Sequence, residues 1–567
     1  MWAAPVQAQD DAHTAEIRAA IAREGQAAII VEMDVPESAA DTPEEAGLAQ
    51  SAREPNTPAR MRERIQRNRT AIAGRAVRLR AAMAQSSIAI GQEYENLPML
   101  TARVNADKLE RLLRMPGVKR VYLDKPVARR HATLPAAVLE KVAVSKDSVG
   151  DGAPALTGPS AATEKAQRAS ETAAAVESPE KAQLANTVKY IGVDKAWARG
   201  FTGQNQSIAI IDDGIDRNHD MFAGKIVAEG CFSTKVRTDD VALCPNGATS
   251  STAVGAASNC AAGAAAAACT HGSHVAGIAA GNDTAGSFTL RGVAYGANLI
   301  PIQVFTLSNN STDCDGDTPC LLSYASAVLN GLNYAISQAV THRLAAVNIS
   351  LGGSAVSGAC DSDIRKPAID TLRTLGVLTT ISAGNDAKVG QVSPPGCIST
   401  AITTSSVIIT VPDQGVNHSA LVDVLAPGVA VQSANINNGY TLRSGTSMAA
   451  PHAAGAIAIL KSSKTTATAA EIEAALKTGG ISTTLSAWSW STPRIDVNRS
   501  LDLMNQTPLT GIAVPGVFGS QNPGGTSFLR FFNTDATAAN VTVQIYDDQT
   551  GGRVGTWTRQ VRGFASP

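Results

Sequence analysis

Three short segments constrain this chain more than anything else in it. An apolar run, Ile208-Ala209-Ile210-Ile211, ends at Asp212 and is followed by Asp213 and Gly214. HGSHVAG occupies 271–277, and SGTSMAAPH occupies 444–452. The first reads as a buried parallel strand that delivers a carboxylate at its C-terminal end, where open α/β sheets place their sites. The second sets His271 ahead of small apolar residues, Val275 to Ala280, that suit a helix packed closely on a sheet. The third puts Ser447 before Met448 to Ile459, which is apolar all round and so predicts a fully buried helix.

An acid, an imidazole and a hydroxyl are the parts of nucleophilic acyl transfer. A Ser hydroxyl is a weak nucleophile at neutral pH. It needs a base within hydrogen-bond reach, and the base needs a carboxylate to hold its tautomer. A Ser at a helix start also lies near free N–H groups and the positive end of the dipole, where a developing oxyanion is stabilised. Each segment alone has a plainer reading: a β-turn for Asp-Gly, a structural histidine, an N-cap serine. His271 and His274, three apart, also suggest a metal, but no HExxH and no third ligand pattern is visible, so none is expected.

The chain order separates the known triad architectures. Chymotrypsin-like barrels run His, Asp, Ser, and α/β-hydrolases run Ser, Asp, His; Asp, His, Ser is the subtilisin order. With all three segments matched, the chain resembles the subtilisin family of serine endopeptidases. The resemblance implies that Asp212, His271 and Ser447 are catalytic and that Asn385, in ISAGND, supplies the side-chain amide of the oxyanion hole. It also implies that Ser350, Leu351, Gly352 and Gly353, in NISLGG, form the strand that pairs main chain to main chain with a peptide substrate. LAPG at 425–428 is a further landmark of the family without assignable chemistry. The implied fold is α/β, a three-layer subtilisin-like architecture with a mostly parallel central sheet.

Some positions depart from the family pattern. Asp213 stands where Ser or Thr is more usual; an Asp-Asp-Gly sequence also occurs in the kexin/furin branch, where the second acid helps bind basic substrate residues. Asp213 is therefore expected to bind substrate. With the acidic loop DCDGD (313–317), it would bias cleavage towards basic residues two or four places before the cut. A solvated loop or a calcium site is the alternative for those carboxylates. Ser273 replaces a commoner Thr, and 403–418 lacks the usual valine-glycine-alanine pattern. No cofactor is needed for the chemistry; structural calcium is frequent in such proteins but no ligand set is assignable.

All eight cysteines lie between 231 and 397, which suggests disulfides and an oxidising compartment. Short loops make 231–244, 260–269 and 314–320 natural pairs. That leaves Cys360 and Cys397, a pairing that related subtilases would also suggest; the connectivity stays open at this point. The members are Cys231, Cys244, Cys260, Cys269, Cys314, Cys320, Cys360 and Cys397. Secretion, to the exterior, periplasm or cell surface, is the expectation. Val6-Gln7-Ala8 looks like the tail of a signal cleavage site, so 1–12 is taken as a residual signal-peptide tail. No apolar run is long enough to span a membrane. A formal net charge of −1 suggests no nucleic-acid partner.

With 567 residues the chain accommodates several domains. In 13–130, Ala27 to Val35 alternates as a strand, and 58–85 is an Arg-rich helix with apolar spacing at Met61, Ile65, Ile72, Val77 and Leu79. Ile88 to Tyr94 and Met99 to Val104 read as a strand pair, Asn105 caps a helix to Arg114, and Val118 to Leu123 is a last strand. That order is ferredoxin-like and resembles the family's inhibitory propeptide, which serves as folding template and plugs the cleft. Residues 131–183 read as a disordered, cleavable linker, with Arg129-Arg130 a candidate dibasic site. The catalytic domain is expected over 184–505, and 506–567 is a β-rich segment with strands at 526–534, 540–547 and 555–561. The expected partners are peptide substrates and the chain's own propeptide, with the enzyme a monomer. Two rival classes remain: a catalytically silent binding protein, against which the intact site residues argue, and an esterase, which would want GxSxG where Ser447 sits in GTSMA.

Overall fold

A computed structural model describes residues 12–35, 57–128, 184–258, 269–284, 290–314, 316, 318–408, 415–484 and 491–505, together with the strands Ala539–Tyr546 and Arg553–Val561. Residues 12–128 fold around a four-stranded antiparallel sheet. Its strands are Ala27–Met33, Ile90–Glu93, Met99–Val104 and Val118–Leu123. Numbered along the chain they lie in the order second, third, first, fourth, the ferredoxin-like arrangement expected from their sequence order. The Pro58–Gln85 helix starts on Thr57, whose hydroxyl accepts the Arg60 N–H, with Pro58 in the first turn, where a missing N–H costs nothing. Met61, Ile72, Ala76, Leu79 and Met83 form its buried stripe. Val77 was expected on that stripe but is 60% exposed: five residues after Ile72, it falls off the three-and-four spacing. Asn105 caps Ala106–Leu113 as expected. A first helix, Ala12–Glu24, has no counterpart in the sequence reading; it packs Ile17, Ala20 and Ile21 under the sheet.

The second unit is built on a ten-stranded sheet. Each pairing from Gly230–Phe232 through Asn298–Gln303, Ser207–Asp212, Leu344–Ile349, Leu378–Ser382, Ile402–Val407 and Val424–Pro427 to Ser491–Arg494 is parallel; the outermost pairing at each edge is antiparallel. Strands buried on both faces read as continuous apolar runs, which is how 208–211 reads. Alternation then splits the run. Ile208 and Ile210 join a core beneath the helices Thr270–Ala280 and Thr446–Ser463, while Ala209 and Ile211 join one beneath Ala325–Gln338 and Lys366–Thr374. Helix, sheet and helix make the expected three-layer α/β fold. No helix among the described residues is long and apolar enough to cross a membrane.

The first unit lies on the outer side of the Ala325–Gln338 helix. Its sheet uses alternate residues: Ile29, Val31 and Leu100 face its own helices, while Ile30, Met99 and Tyr122 join the core shared with the second unit. After the sheet, Pro126–Ala128 adds to the edge of Cys320–Tyr324 in antiparallel register. Three of the four expected disulfides are present: Cys231–Cys244, Cys314–Cys320 and Cys360–Cys397. Cys269 is disulfide-bonded, and Cys260 lies outside the described residues. The linker over 131–183 and the strand expected over 526–534 also lie outside them. The two later strands form an antiparallel hairpin.

Candidate active site

Asp212 is the last residue of its strand, and its carboxylate is 1% exposed. Both oxygens lie within reach of His271 Nδ1, at 2.8 and 2.9 Å, and Oδ1 also accepts the Asp213 N–H at 2.8 Å. A carboxylate only accepts, so Nδ1 carries the ring proton and Nε2 is left as the basic nitrogen.

The helix that carries His271 is seated by Asp213. Its side chain is fully buried, and its oxygens accept the N–H of Gly272 at 2.7 Å and of His271 at 3.3 Å. These are N–H groups of the helix's first turn, which has no other internal acceptors for them, and the charge sits at the positive end of the dipole. This corrects the expectation that Asp213 binds substrate: the carboxylate is buried and committed to the backbone, and it does not line the cleft. Asp313 does not supply the missing acidity either, since it pairs with Arg237, which also meets Glu24 of the first unit. Asp315 and Asp317 lie outside the described residues. Gly272 is required for the same seating. A Cβ there would stand 2.0 Å from the Gly214 carbonyl oxygen.

His274 is fixed by main-chain carbonyls. Its Nε2 donates to the Val431 carbonyl at 2.9 Å, with Thr441 O at 3.1 Å, and burial holds its pKa well below the usual histidine value. No metal-holding cluster of acids, His and Cys occurs among the described residues.

Ser447 is the second residue of the Thr446–Ser463 helix and is 8% exposed. Pro451 stands four residues on. It has no N–H to give the Ser447 carbonyl, which would ordinarily leave that carbonyl orphaned and the turn strained. The Ser350 hydroxyl supplies the bond instead, donating to Ser447 O at 3.0 Å. Behind it, Thr380 Oγ1 donates to Asn348 Oδ1 and Asn348 Nδ2 donates to Ser350 Oγ. Ser350 was expected only as substrate-pairing backbone; here its side chain also anchors the serine turn. The Ser447 hydroxyl itself donates to the Ser350 carbonyl at 3.4 Å. The hydroxyl thus bonds to Ser350 O and not to His271 Nε2; catalytic hydrogen bonds often form only once substrate is bound.

Asn385 is oriented by a residue the sequence reading did not single out. Thr446 donates to Asn385 Oδ1 twice, from its N–H at 3.0 Å and its hydroxyl at 3.1 Å, and the hydroxyl accepts the Gly384 N–H. With the amide oxygen held there, the NH₂ is the group left to donate. The loop is braced by Asn417, which lies in the stretch that departs from the family pattern. Its Oδ1 accepts the N–H groups of Asp386 and Lys388, and its Nδ2 donates to Ala383 O.

His271, Ser350, Leu351, Gly352, Gly353, Asn385 and Ser447 line one cleft. Of the residues expected at the site, Asp212 stands behind the imidazole and Asp213 lies under the helix. Gly353 has open space where a side chain would go, whereas a Cβ on Gly352 would press on Ser393 and Pro394 at 3.1–3.2 Å. The glycine pair thus leaves open space at one position and packs closely at the other.

Comparison with known proteins gives the family. The subtilase family matches residues 203–489. The chain is 30% identical to the major intracellular serine protease of Bacillus subtilis over 286 residues, 49% of this chain and 76% of that one. It is 30% identical to subtilisin DY of Bacillus licheniformis over 301 residues, 51% and 89% of the two chains. It is 29% identical to an extracellular protease of Xanthomonas campestris over 304 residues, 51% of this chain and 49% of that one. A solved structure of a protease from Pseudoalteromonas arctica aligns at 26% identity over 55% of this chain and 94% of its own, with a TM-score of 0.45. The protein belongs to the subtilase family and is a serine endopeptidase.

Proposed function

We propose that this chain is the precursor of a secreted endopeptidase whose chemistry rests on Asp212, His271, Ser447 and Asn385. His271 Nε2 takes the proton of Ser447 as the hydroxyl attacks a peptide carbonyl. Asp212 keeps the ring in its Nδ1–H tautomer and stabilises the imidazolium. The Asn385 amide and the Ser447 N–H hold the oxyanion, the leaving amine takes the proton from His271, and water releases the acyl group by the same steps reversed. The observation that carries this reading is the 2.8 Å Asp212–His271 pair opening onto a cleft shared with Ser447 and Asn385.

On this reading residues 13–130 are an inhibitory propeptide and 131–183 holds the processing region. Support comes from Pro126–Ala128, which occupies the Cys320–Tyr324 edge as an extended peptide. Secretion is supported by the disulfides, with no free cysteine among the described residues.

The test is Ser447→Ala beside the wild type. Wild type is expected to shed 13–130, react with a fluorophosphonate and digest casein. The variant is expected to accumulate unprocessed and unlabelled, with turnover down about a millionfold; that size is subtilisin's own, carried over. A variant that still matures and cleaves would refute the assignment.

A further inference from the structure

Beside the main sheet lies a small antiparallel one, in the order Pro126–Ala128, Cys320–Tyr324, Thr306–Ser308, Val241–Ala242. It runs directly off the cleft, because Phe305 lines the cleft and Thr306 is the next residue. Its outermost strand is the chain's own upstream segment, with Pro126 opposite Tyr324, Val127 opposite Ser323 and Ala128 opposite Leu322. Cys320–Tyr324 is therefore an edge that accepts an extended segment main chain to main chain, the β-addition mode of peptide recognition.

An edge can grip only if it is itself ordered; Leu321, Leu322 and Tyr324 are buried, but the strand pairing around the half-buried Cys320 end is short. It pairs with Thr306–Ser308 at three positions, and that strand pairs with Val241–Ala242 at two. Hairpins this short are marginal alone. Two anchors hold the Tyr324 end: the Tyr324 hydroxyl donates to the buried Asp240 carboxylate at 2.9 Å, and Ser323 Oγ donates to Val304 O at 2.9 Å. At the other end stands the Cys314–Cys320 disulfide, which closes a separation of six residues on the first residue of the edge strand. Cys314 is buried and Cys320 half-buried.

We propose that the Cys314–Cys320 bridge is a positioning element for catalysis, holding the Cys320–Tyr324 edge ready to pair with substrate residues upstream of the cut. This rests on the reading of Ser447 as nucleophile. Long substrates, which reach the edge, gain from the bridge; short ones, held by 350–353 alone, do not. Closing a loop of this length shifts the ratio of ordered to frayed edge by at most about 50-fold.

The experiment compares the full chain as wild type and as C314S/C320S, with reactive sites counted by fluorophosphonate. Both are given nested peptides that extend from one to about six residues upstream of the cut. The expected wild-type result is a kcat/KM that climbs about tenfold or more with length, mostly through KM. Per reactive site, the variant is expected to match wild type on the shortest peptide and lose about tenfold on the longest. Tyr324→Phe, which frees the other end of the same edge, is expected to raise KM for long peptides alone, and it provides the check if the cysteine variant does not accumulate. A wild type indifferent to length, or losses equal at all lengths, would overturn the proposal. Wild type that neither labels nor cleaves would instead overturn the reading of Ser447.

Discussion

Gly272→Ala tests whether the helix bearing His271 and the turn bearing Asp212 are one rigid body. The added Cβ would stand 2.0 Å from Gly214 O, 3.0 Å from Asp213 Oδ1 and 3.1 Å from the Gly214 carbonyl carbon. An ordinary C···O contact is about 3.3 Å, so the helix must retreat by roughly 1.3 Å. The carboxylate and the turn block sideways relief. Retreat stretches the 2.7 Å Gly272–Asp213 bond and the 2.8 Å His271–Asp212 bond to about 4 Å, beyond hydrogen bonding. Misplacement of about 1 Å costs about 100-fold, and loss of the orienting carboxylate up to about 10,000-fold. We expect kcat/KM to fall between those limits, with about 1–3 kcal/mol of stability lost to overpacking. Peptide turnover, the rate of fluorophosphonate labelling and thermal unfolding measure this together. Gly74→Ala is the counterpart: nothing lies within 4 Å of its Cβ position in the Pro58–Gln85 helix, so about 0.5–1 kcal/mol should be gained. Turnover of Gly272→Ala within about threefold of wild type would refute the rigid coupling.

Ser350→Ala should cost about 1–3 kcal/mol and slow turnover, because the Ser447 carbonyl then has no donor. Adding Pro451→Ala restores a helical N–H for it, so a double-mutant cycle should show coupling; strict additivity would count against the anchor. Burial lowers His452 to a pKa of about 4 and holds His274 well below its ordinary value. Both are neutral in the fold and take up protons on unfolding. Their contribution is therefore complete above the ordinary histidine pKa of about 6.5 and is lost as pH falls towards about 4. His452 alone accounts for about 3 kcal/mol, readable as denaturation midpoints across that window and absent in His452→Gln. Replacing Cys360 and Cys397 by Ser opens a separation of 37 residues and should cost about 4 kcal/mol, measured as faster thermal inactivation.

What the sequence revealed and what it hid follow one physical division. A continuous apolar run gave the buried Ser207–Asp212 strand, and period-two and helical spacing gave the Pro58–Gln85 helix and the order of the small N-terminal sheet, because each is a pattern in neighbouring residues. Ala12–Glu24 escaped because its buried residues are few and two of them are Thr14 and Ala20, which carry little hydropathic contrast. Asp213 was assigned to substrate from its neighbour in the motif. Its actual partners, two N–H groups about 58 residues on, leave no local trace. The same holds for Thr446 on Asn385 and Asn417 on the 383–388 loop, where polar side chains act on distant backbone. Pro451 was the one readable hint: a proline inside a helix announces that some carbonyl four residues earlier needs another donor.

The Ala325–Gln338 helix carries a related message about the fit of the two units. Ser326, Asn330, Asn333 and Ser337 recur at steps of four, three and four, which sets them in one stripe along the helix. Asn330, Asn333 and Ser337 are answered from the first unit through their side chains, and Ser326 through its main chain. The Ser326 N–H donates to Asp124 and its carbonyl accepts from Tyr94, Asn330 exchanges amide bonds with Gln92, and Asn96 donates to Asn333 and to Ser337. Beside this stripe the contact is apolar, through Ile30, Met99 and Tyr122 of the first unit. Amides and hydroxyls exchange these partners for water at a net cost of only about 0.5–1.5 kcal/mol each. Unmatched, however, each buried group costs its full desolvation, so a wrong partner is rejected. Such a stripe makes the fit of the two units specific where apolar contact alone would not.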